Sequence, residues 1–85
     1  MKIRIDEIIV PDGFQTSKPN PLKMHCVMEY FLANGKVDRN PIVDEKNVLV
    51  DGYIRYIVLL NAGVEEIDVD VIHLKNAELY QGRHK

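Results

Sequence analysis

Arg55 is the side chain in this sequence whose surroundings say most about chemistry. It stands in Leu49-Val50-Asp51-Gly52-Tyr53-Ile54-Arg55-Tyr56, where an apolar extended run passes through a glycine into a helical one. A strand that turns at a glycine into a helix presents unpaired backbone N–H groups and the positive end of the helix dipole, a pattern suited to anions. Gly52, lacking a Cβ, leaves room for a ligand to approach the backbone. Arg55 is the only charge between Gly52 and Gly63 and falls in the first helical turn, where the macrodipole disfavours a cation. An anion beside it relieves that conflict. Two sources fit: a bound phosphate or carboxylate, or an acid of the chain itself, either Asp51 as N-cap or another, because buried arginines generally find an internal partner. Tyr53 and Tyr56 flank Arg55 and serve either to stack on a base or to shield the core.

The remaining reactive side chains are scattered. His25 and Cys26 are adjacent, so on a helix they point about 100° apart and cannot form one nucleophile–base pair. Cys26 reads as a small core or near-core residue. His73 and His84 stand outside any metal-ligand spacing. A metal-dependent nuclease needs carboxylates or histidines clustered at a phosphate-binding face. Asp44, Glu45, Asp68 and Asp70 lie on or beside extended runs, and alternation sends Asp68 and Asp70 to one solvated face. No catalytic residue and no metal-ligand set is assigned from these patterns.

The elements that must position Arg55 are legible from periodicity and turn signals. Ile3 and Ile5 alternate with Lys2, Arg4 and Asp6, and Ile8-Ile9-Val10 then runs into Pro11, which predicts a strand. Residues 11–20 are rich in turn formers and predict a ten-residue loop, a length often functional in a small domain. Asn20-Pro21 has the form of an N-cap and first helical residue, and Met24, Val27, Met28, Phe31 and Leu32 make the apolar stripe of an amphipathic helix stopped by Asn34-Gly35. Pro41-Ile42-Val43, a turn at 44–47 and Val48-Leu49-Val50 predict a hairpin. Tyr53 to Ala62 predicts a second helix, apolar almost all round and so buried, closed by Gly63. Ile67-Asp68-Val69-Asp70-Val71 alternates strictly, a strand with an acidic outer face. From His73 the periodicity is weak.

Composition bounds the classes. Eighty-five residues, 46% hydrophobic and 28% charged, suit one small folded domain rather than a disordered chain. A chain this short buries only about 60–65% of its unfolded surface, so a partner subunit or homodimer is a natural expectation. The formal charge of −2 argues against direct DNA binding. Residues 41–72 hold only Lys46 and Arg55 against seven acids. One cysteine excludes an internal disulfide and suits a reducing compartment. No apolar run approaches the roughly 18–20 residues of a membrane span, and Lys2, Arg4, Asp6 and Glu7 interrupt any signal-peptide core. The expected location is the cytoplasm.

Pro41-Ile42-Val43-Asp44, the run from Val48 to Tyr56, Asn61-Ala62-Gly63-Val64 and the strand from Ile67 to Val71 together resemble the N-terminal domain of ParB-like proteins, a superfamily that includes sulfiredoxin. The helix ending in Asn34-Gly35 before Pro41 looks like that family's connection. The resemblance covers about residues 3–72. It implies that the 11–20 loop, with Gln15, Thr16, Ser17 and Lys18, lies near a nucleotide pocket, and Lys18 supplies a second phosphate contact on this reading. In sulfiredoxin-like members the glycine turn carries a catalytic cysteine followed by His and Arg that handle ATP phosphates. Here the turn reads Gly52-Tyr53-Ile54-Arg55 and Cys26 lies on the other predicted helix, so sulfiredoxin activity is not expected. In chromosome-partitioning ParB proteins a Gly-Glu-Arg-Arg motif grips CTP. Only Gly52 and Arg55 match it, and the later Asn-rich motif, the helix-turn-helix and the dimerisation domain have no counterpart before Lys85.

The expectations are therefore as follows. The fold is α+β, a small mixed β-sheet with two main helices in a ParB/sulfiredoxin-like architecture over residues 1–72, with 73–85 a tail, part helix or part disordered. The function is binding of a phosphate or a nucleotide (ATP or CTP with Mg²⁺) through Ser17, Lys18, Asp51, Gly52, Tyr53, Arg55 and Tyr56. One alternative is a ParB-like metal-dependent nuclease or phosphohydrolase. Another is a protein-interaction domain of a mobile genetic element, in which Arg55 is structural and the tail docks a partner.

Overall fold

Asn20 opens the longest helix. Its side-chain oxygen accepts hydrogen bonds from the backbone N–H groups of Leu22 and Lys23, at 2.9 and 3.3 Å, and Pro21 takes the first helical position, where its missing N–H costs nothing. Helix α2 runs over Pro21–Asn34 and stops at Gly35, whose φ of 73° is the left-handed conformation a glycine tolerates best. The computed structural model in which these elements are seen describes residues 1–73. Of the expected tail, all but His73 lies outside the described residues.

Upstream of α2 come β1 (Lys2–Arg4), a single 3₁₀ turn (Ile5–Glu7) and the short helix α1 (Asp12–Gln15); downstream come β2 (Ile42–Asp44), β3 (Leu49–Asp51), α3 (Tyr53–Asn61), β4 (Glu66–Asp68) and β5 (Asp70–Ile72). The predicted continuous strand over 3–10 is thus broken. The Glu7 carboxylate accepts from the Arg4 N–H at 3.2 Å, Asp6 binds the Arg4 guanidinium, and the Ile5 N–H turns away to the Glu65 carbonyl at 2.8 Å. These local bonds favour a turn over a ladder, and the turn places Ile5 and Ile8, three residues apart, both in the core. The chain is extended again at Ile9, which bridges in parallel to Val48. The 11–20 loop contains α1, an organisation that its turn-rich composition hid.

The sheet that carries β3 to the start of α3 is mixed, in the order β3-β2-β5: β2 pairs antiparallel with β3, with a bulge between Ile42 and Val43, and parallel with β5. A separate antiparallel ladder joins β1 to β4. What alternation predicts as one strand over 67–71 therefore serves two sheets. The switch falls at Val69, which is fully buried, donates to the Met1 carbonyl at 2.7 Å and accepts from the N-terminal ammonium at 3.0 Å. Ile67 and Val69 face inward and Asp68 and Asp70 outward, as the alternation requires, whereas Val71 is exposed.

One apolar cluster, containing Ile5, Ile8, Val43, Leu49, Leu59, Ile67 and Val69, joins both sheets to α3. Each helix covers it with less surface than its composition suggests. On α2, Val27 is buried and Met24 and Phe31 are half-buried, but Met28 and Leu32 stand out to solvent, Leu32 at 75% exposure. On α3, Arg55, Val58 and Leu59 make the buried face and Leu60 is exposed, so this helix is not apolar on every side that matters. No helix among the described residues is long and apolar enough to cross a membrane.

Candidate anion site at the start of α3

The turn from β3 into α3 is built around contact between two backbones. Gly52 has φ 86°, and a Cβ placed on it would lie 2.9 Å from the Cα of Pro41. The absent side chain admits Pro41, not a ligand. Asp51 does not cap the helix as considered above. Among the described residues its Oδ1 accepts only from the adjoining Gly52 N–H at 2.8 Å, and the N-cap is Gly52 itself, which has no side chain to offer. The N–H groups of the first turn of α3 therefore receive no side-chain cap from the described residues, and the first intrahelical bond is from the Tyr56 N–H to the Gly52 carbonyl at 3.0 Å.

The anion beside Arg55 is an acid of the chain. Arg55 Nε donates to Asp38 Oδ1 at 2.8 Å and Nη2 donates to Oδ2 at 3.0 Å, a bidentate pair. The guanidinium side chain is 9% exposed and the carboxylate 38%. Hydrogen bonding to Arg55 holds the Asp38 carboxyl below the usual aspartate range, against the opposing effect of burial. The same hydrogen bond raises Arg55 above its already high ordinary value, with a smaller contribution from the charge of Asp51. Asp38 is the only acid in the connection between Gly35 and Pro41, the one signal in the sequence that could have pointed to it.

Among the described residues, three adjoining grooves nevertheless open onto Arg55. The largest, about 640 Å³, runs between the 36–40 connection and the outer face of the strands and is walled by Tyr30, Lys36, Asp38, Arg39, Asp51, Asp68 and Asp70 among others. A second, about 220 Å³, lies at the start of α3 and brings together Ser17, Lys23, Arg39, Asp51, Gly52, Tyr53 and Arg55. A third, about 280 Å³, is bounded by Lys23, Cys26, Val27, Tyr30, Asp38 and Arg55. Of the residues singled out in the sequence, Ser17, Asp51, Gly52, Tyr53 and Arg55 share the second groove. Lys18 and Tyr56 are not among its walls. The cations there besides Arg55 are Lys23, from the first turn of α2, and Arg39, neither of them in a salt bridge among the described residues. Lys23 follows Asn20 by three positions on a helix whose N-cap was evident, but nothing in its spacing aims it at Gly52.

The aromatic rings form a ladder. Phe14 stacks on Tyr53 with centroids 5.3 Å apart, and Tyr53 on Tyr56 at 6.3 Å. All three rings are half-buried and pack against the core, and burial pushes the Tyr56 hydroxyl above the usual tyrosine value. His25 pairs with Glu29 at 3.1 Å and Cys26 is exposed. Asp44 is buried with its Oδ1 bound to the N–H groups of Lys46 and Val48, so it is spent on the hairpin turn. Among the described residues no group of three or more His, Cys, Asp or Glu is arranged to hold a metal ion.

Fold and turn together define a small α+β domain in which a glycine-capped helix start faces a polar groove. That fold is the ParB N-domain fold. The pNOB8-like ParB N-domain superposes on this chain with a TM-score of 0.70, 24% identity and 87% of this chain covered, and a C222₁ form of a pNOB8-like ParB N-domain does so with a TM-score of 0.72, 21% identity and 84% covered. This chain spans 27% and 28% of the length of those two solved chains. No family model matches the sequence, and no curated protein does.

Proposed function

We propose that this domain binds a phosphorylated ligand, a nucleotide in particular, in the groove at the start of α3, and that it does so as a binding module rather than as a sulfiredoxin. The observation that carries this reading is a helix start with no side-chain cap that faces a groove walled by Lys23, Arg39 and Arg55 against the single acid Asp51. Backbone N–H groups and the dipole's positive end favour an anion there, and flanking cations add to the field. Ser17 lines the same groove and offers a hydroxyl oxygen, its own proton being directed to the Phe14 carbonyl at 2.7 Å. Fold likeness to ParB N-domains is consistent with this reading and does not by itself supply a ligand.

Thermal denaturation in the presence of ATP, CTP and inorganic pyrophosphate, each with and without Mg²⁺, tests the proposal. A ligand at a hundred times its dissociation constant stabilises by about 2.7 kcal/mol. Lys23→Ala together with Arg39→Ala should abolish the response while leaving the unliganded transition nearly in place. An unchanged response in that double variant, or none in the parent, ends the proposal.

The outer face of α2 favours a second reading, a protein-interaction domain. Leu22 and Leu32 are 78% and 75% exposed there, and unburied leucines on one helix face suit a partner surface. Sedimentation of the protein alone, compared with Leu22→Lys and Leu32→Glu, distinguishes self-association through this face from a monomer.

A further inference from the structure

We propose that Asp38 is an internal competitor for the anion site: its carboxylate holds the fork of Arg55 until an incoming phosphoryl group takes it, and the 36–40 connection is released as the ligand enters. This rests on the reading that a phosphorylated ligand binds at the start of α3. Arg55 is common to all three grooves, so a ligand in any of them meets a guanidinium already engaged. The engagement is bidentate, at 2.8 and 3.0 Å, through the same two-pronged geometry with which arginine grips a phosphate. The two partners differ in freedom. Arg55 sits on α3 with its side chain 9% exposed, held by packing, whereas Asp38 is 38% exposed and belongs to no helix or strand. In an exchange of anions, Asp38 is the one that can leave. A doubly charged phosphoryl oxygen cluster outbids a single carboxylate in the field of Arg39 and Lys23, and an Asp38 set free finds water within reach. Because a ligand shifts an equilibrium only by its differential affinity for the two states, closing the Asp38–Arg55 pair must weaken binding, and opening it must strengthen binding.

The test is calorimetric titration of the full chain with inorganic pyrophosphate at neutral pH, for the parent, Asp38→Asn, Asp70→Asn and the pair Arg55→Ala and Asp38→Asn/Arg55→Ala. Asp70 lines the 640 Å³ groove without touching Arg55, so its substitution removes an equal charge as a control. The expected result is roughly tenfold tighter binding by Asp38→Asn, a markedly smaller gain from Asp70→Asn, and no gain from Asp38→Asn once Arg55 is alanine. If the parent binds and Asp38→Asn binds no tighter, or Asp70→Asn gains as much, the competitor role is overturned and the anion site stands. If neither the parent nor Asp38→Asn binds, the anion site falls and the competitor role with it. A measurement on the parent alone covers variants that fail to fold. On adding pyrophosphate the ¹³Cγ resonance of Asp38 should move toward that of the exposed Asp12; an Asp38 resonance that stays put while the amides of Tyr53 and Ile54 shift overturns the proposal.

Discussion

A cation in the first turn of α3 is electrostatically misplaced, and Arg55 is tolerated there because Asp38 answers it. The pair has a definite pH signature. The Asp38 carboxyl titrates lower in the folded chain than in the unfolded one, so its contribution is complete above the ordinary aspartate value, about 4, and is lost as pH falls through the depressed folded value. Asp38→Asn should cost about 1–2 kcal/mol at neutral pH, below the 3–5 of a fully buried broken pair because the carboxylate is partly wet. The difference in urea-derived stability between parent and variant should stay constant down to about pH 4 and shrink below it; a difference that instead persists into strong acid shows that the pair's charge is not what stabilises. Gly52 is a separate case of dictated identity. Gly52→Ala puts a methyl 2.9 Å from the backbone of Pro41 at a φ of 86°. Both penalties apply to one residue and neither neighbour is a flexible side-chain tip, so a loss of about 2–4 kcal/mol is expected, read as a lower urea midpoint at unchanged slope.

Elements whose ends are signalled locally were legible in the sequence, and those decided by distant partners were not. Asn20 and Gly35 bracket α2, Gly52 and Gly63 bracket α3, and Asn47 at φ 66° closes the hairpin between β2 and β3, all within a few residues of the structure they terminate. The 3₁₀ turn after β1 and the division of β4 from β5 depend instead on the Glu65 carbonyl and on Met1, which no local window contains. The site divides the same way: Gly52 and Arg55 announced themselves through type and spacing, whereas Asp38 lies 17 positions from Arg55 and Lys23 reaches the groove only through the packing of α2. The apolar stripe of α2 misled because periodicity gives a face without saying how much of it is covered. Two substitutions on that helix separate cap from stripe. Asn20→Ala removes the acceptor for Leu22 and Lys23 and should cost about 1 kcal/mol. Leu32→Glu, at an exposed position, should change stability by less than about 0.5 kcal/mol in chemical denaturation.

At the scale of the molecule, the two short ladders seen among the described residues, of at most three strands, are each too small to stand alone, and an isolated pair such as β1 with β4 is marginal in water. Their stability has to be shared. The sharing is physical: Ile67 from one ladder and Ile5 from the 3₁₀ turn that follows β1, Val43 and Leu49 from the other ladder, and Val69 at the junction belong to one buried cluster under α3. Val69 is the only residue through which the chain passes from β4 to β5, and its N–H is bound across to Met1. If the cluster is one cooperative unit, no ladder opens without dissolving the other's core. Native-state hydrogen exchange should then give the Val69 amide, bound to the Met1 carbonyl, and the Leu49 amide, bound to the Ile9 carbonyl, the same opening free energy, equal to that of global unfolding. Leu49→Ala, which empties volume at a 1% exposed position, should lower both by the same amount, about 2–5 kcal/mol. Exchange at Val69 that stays slow while Leu49 accelerates would mean that β1 and β4 persist without the mixed sheet. The start of α3, carried by β3, would then open and close independently of the ladder beneath it, and groove access would be set by that local equilibrium and not by the stability of the domain.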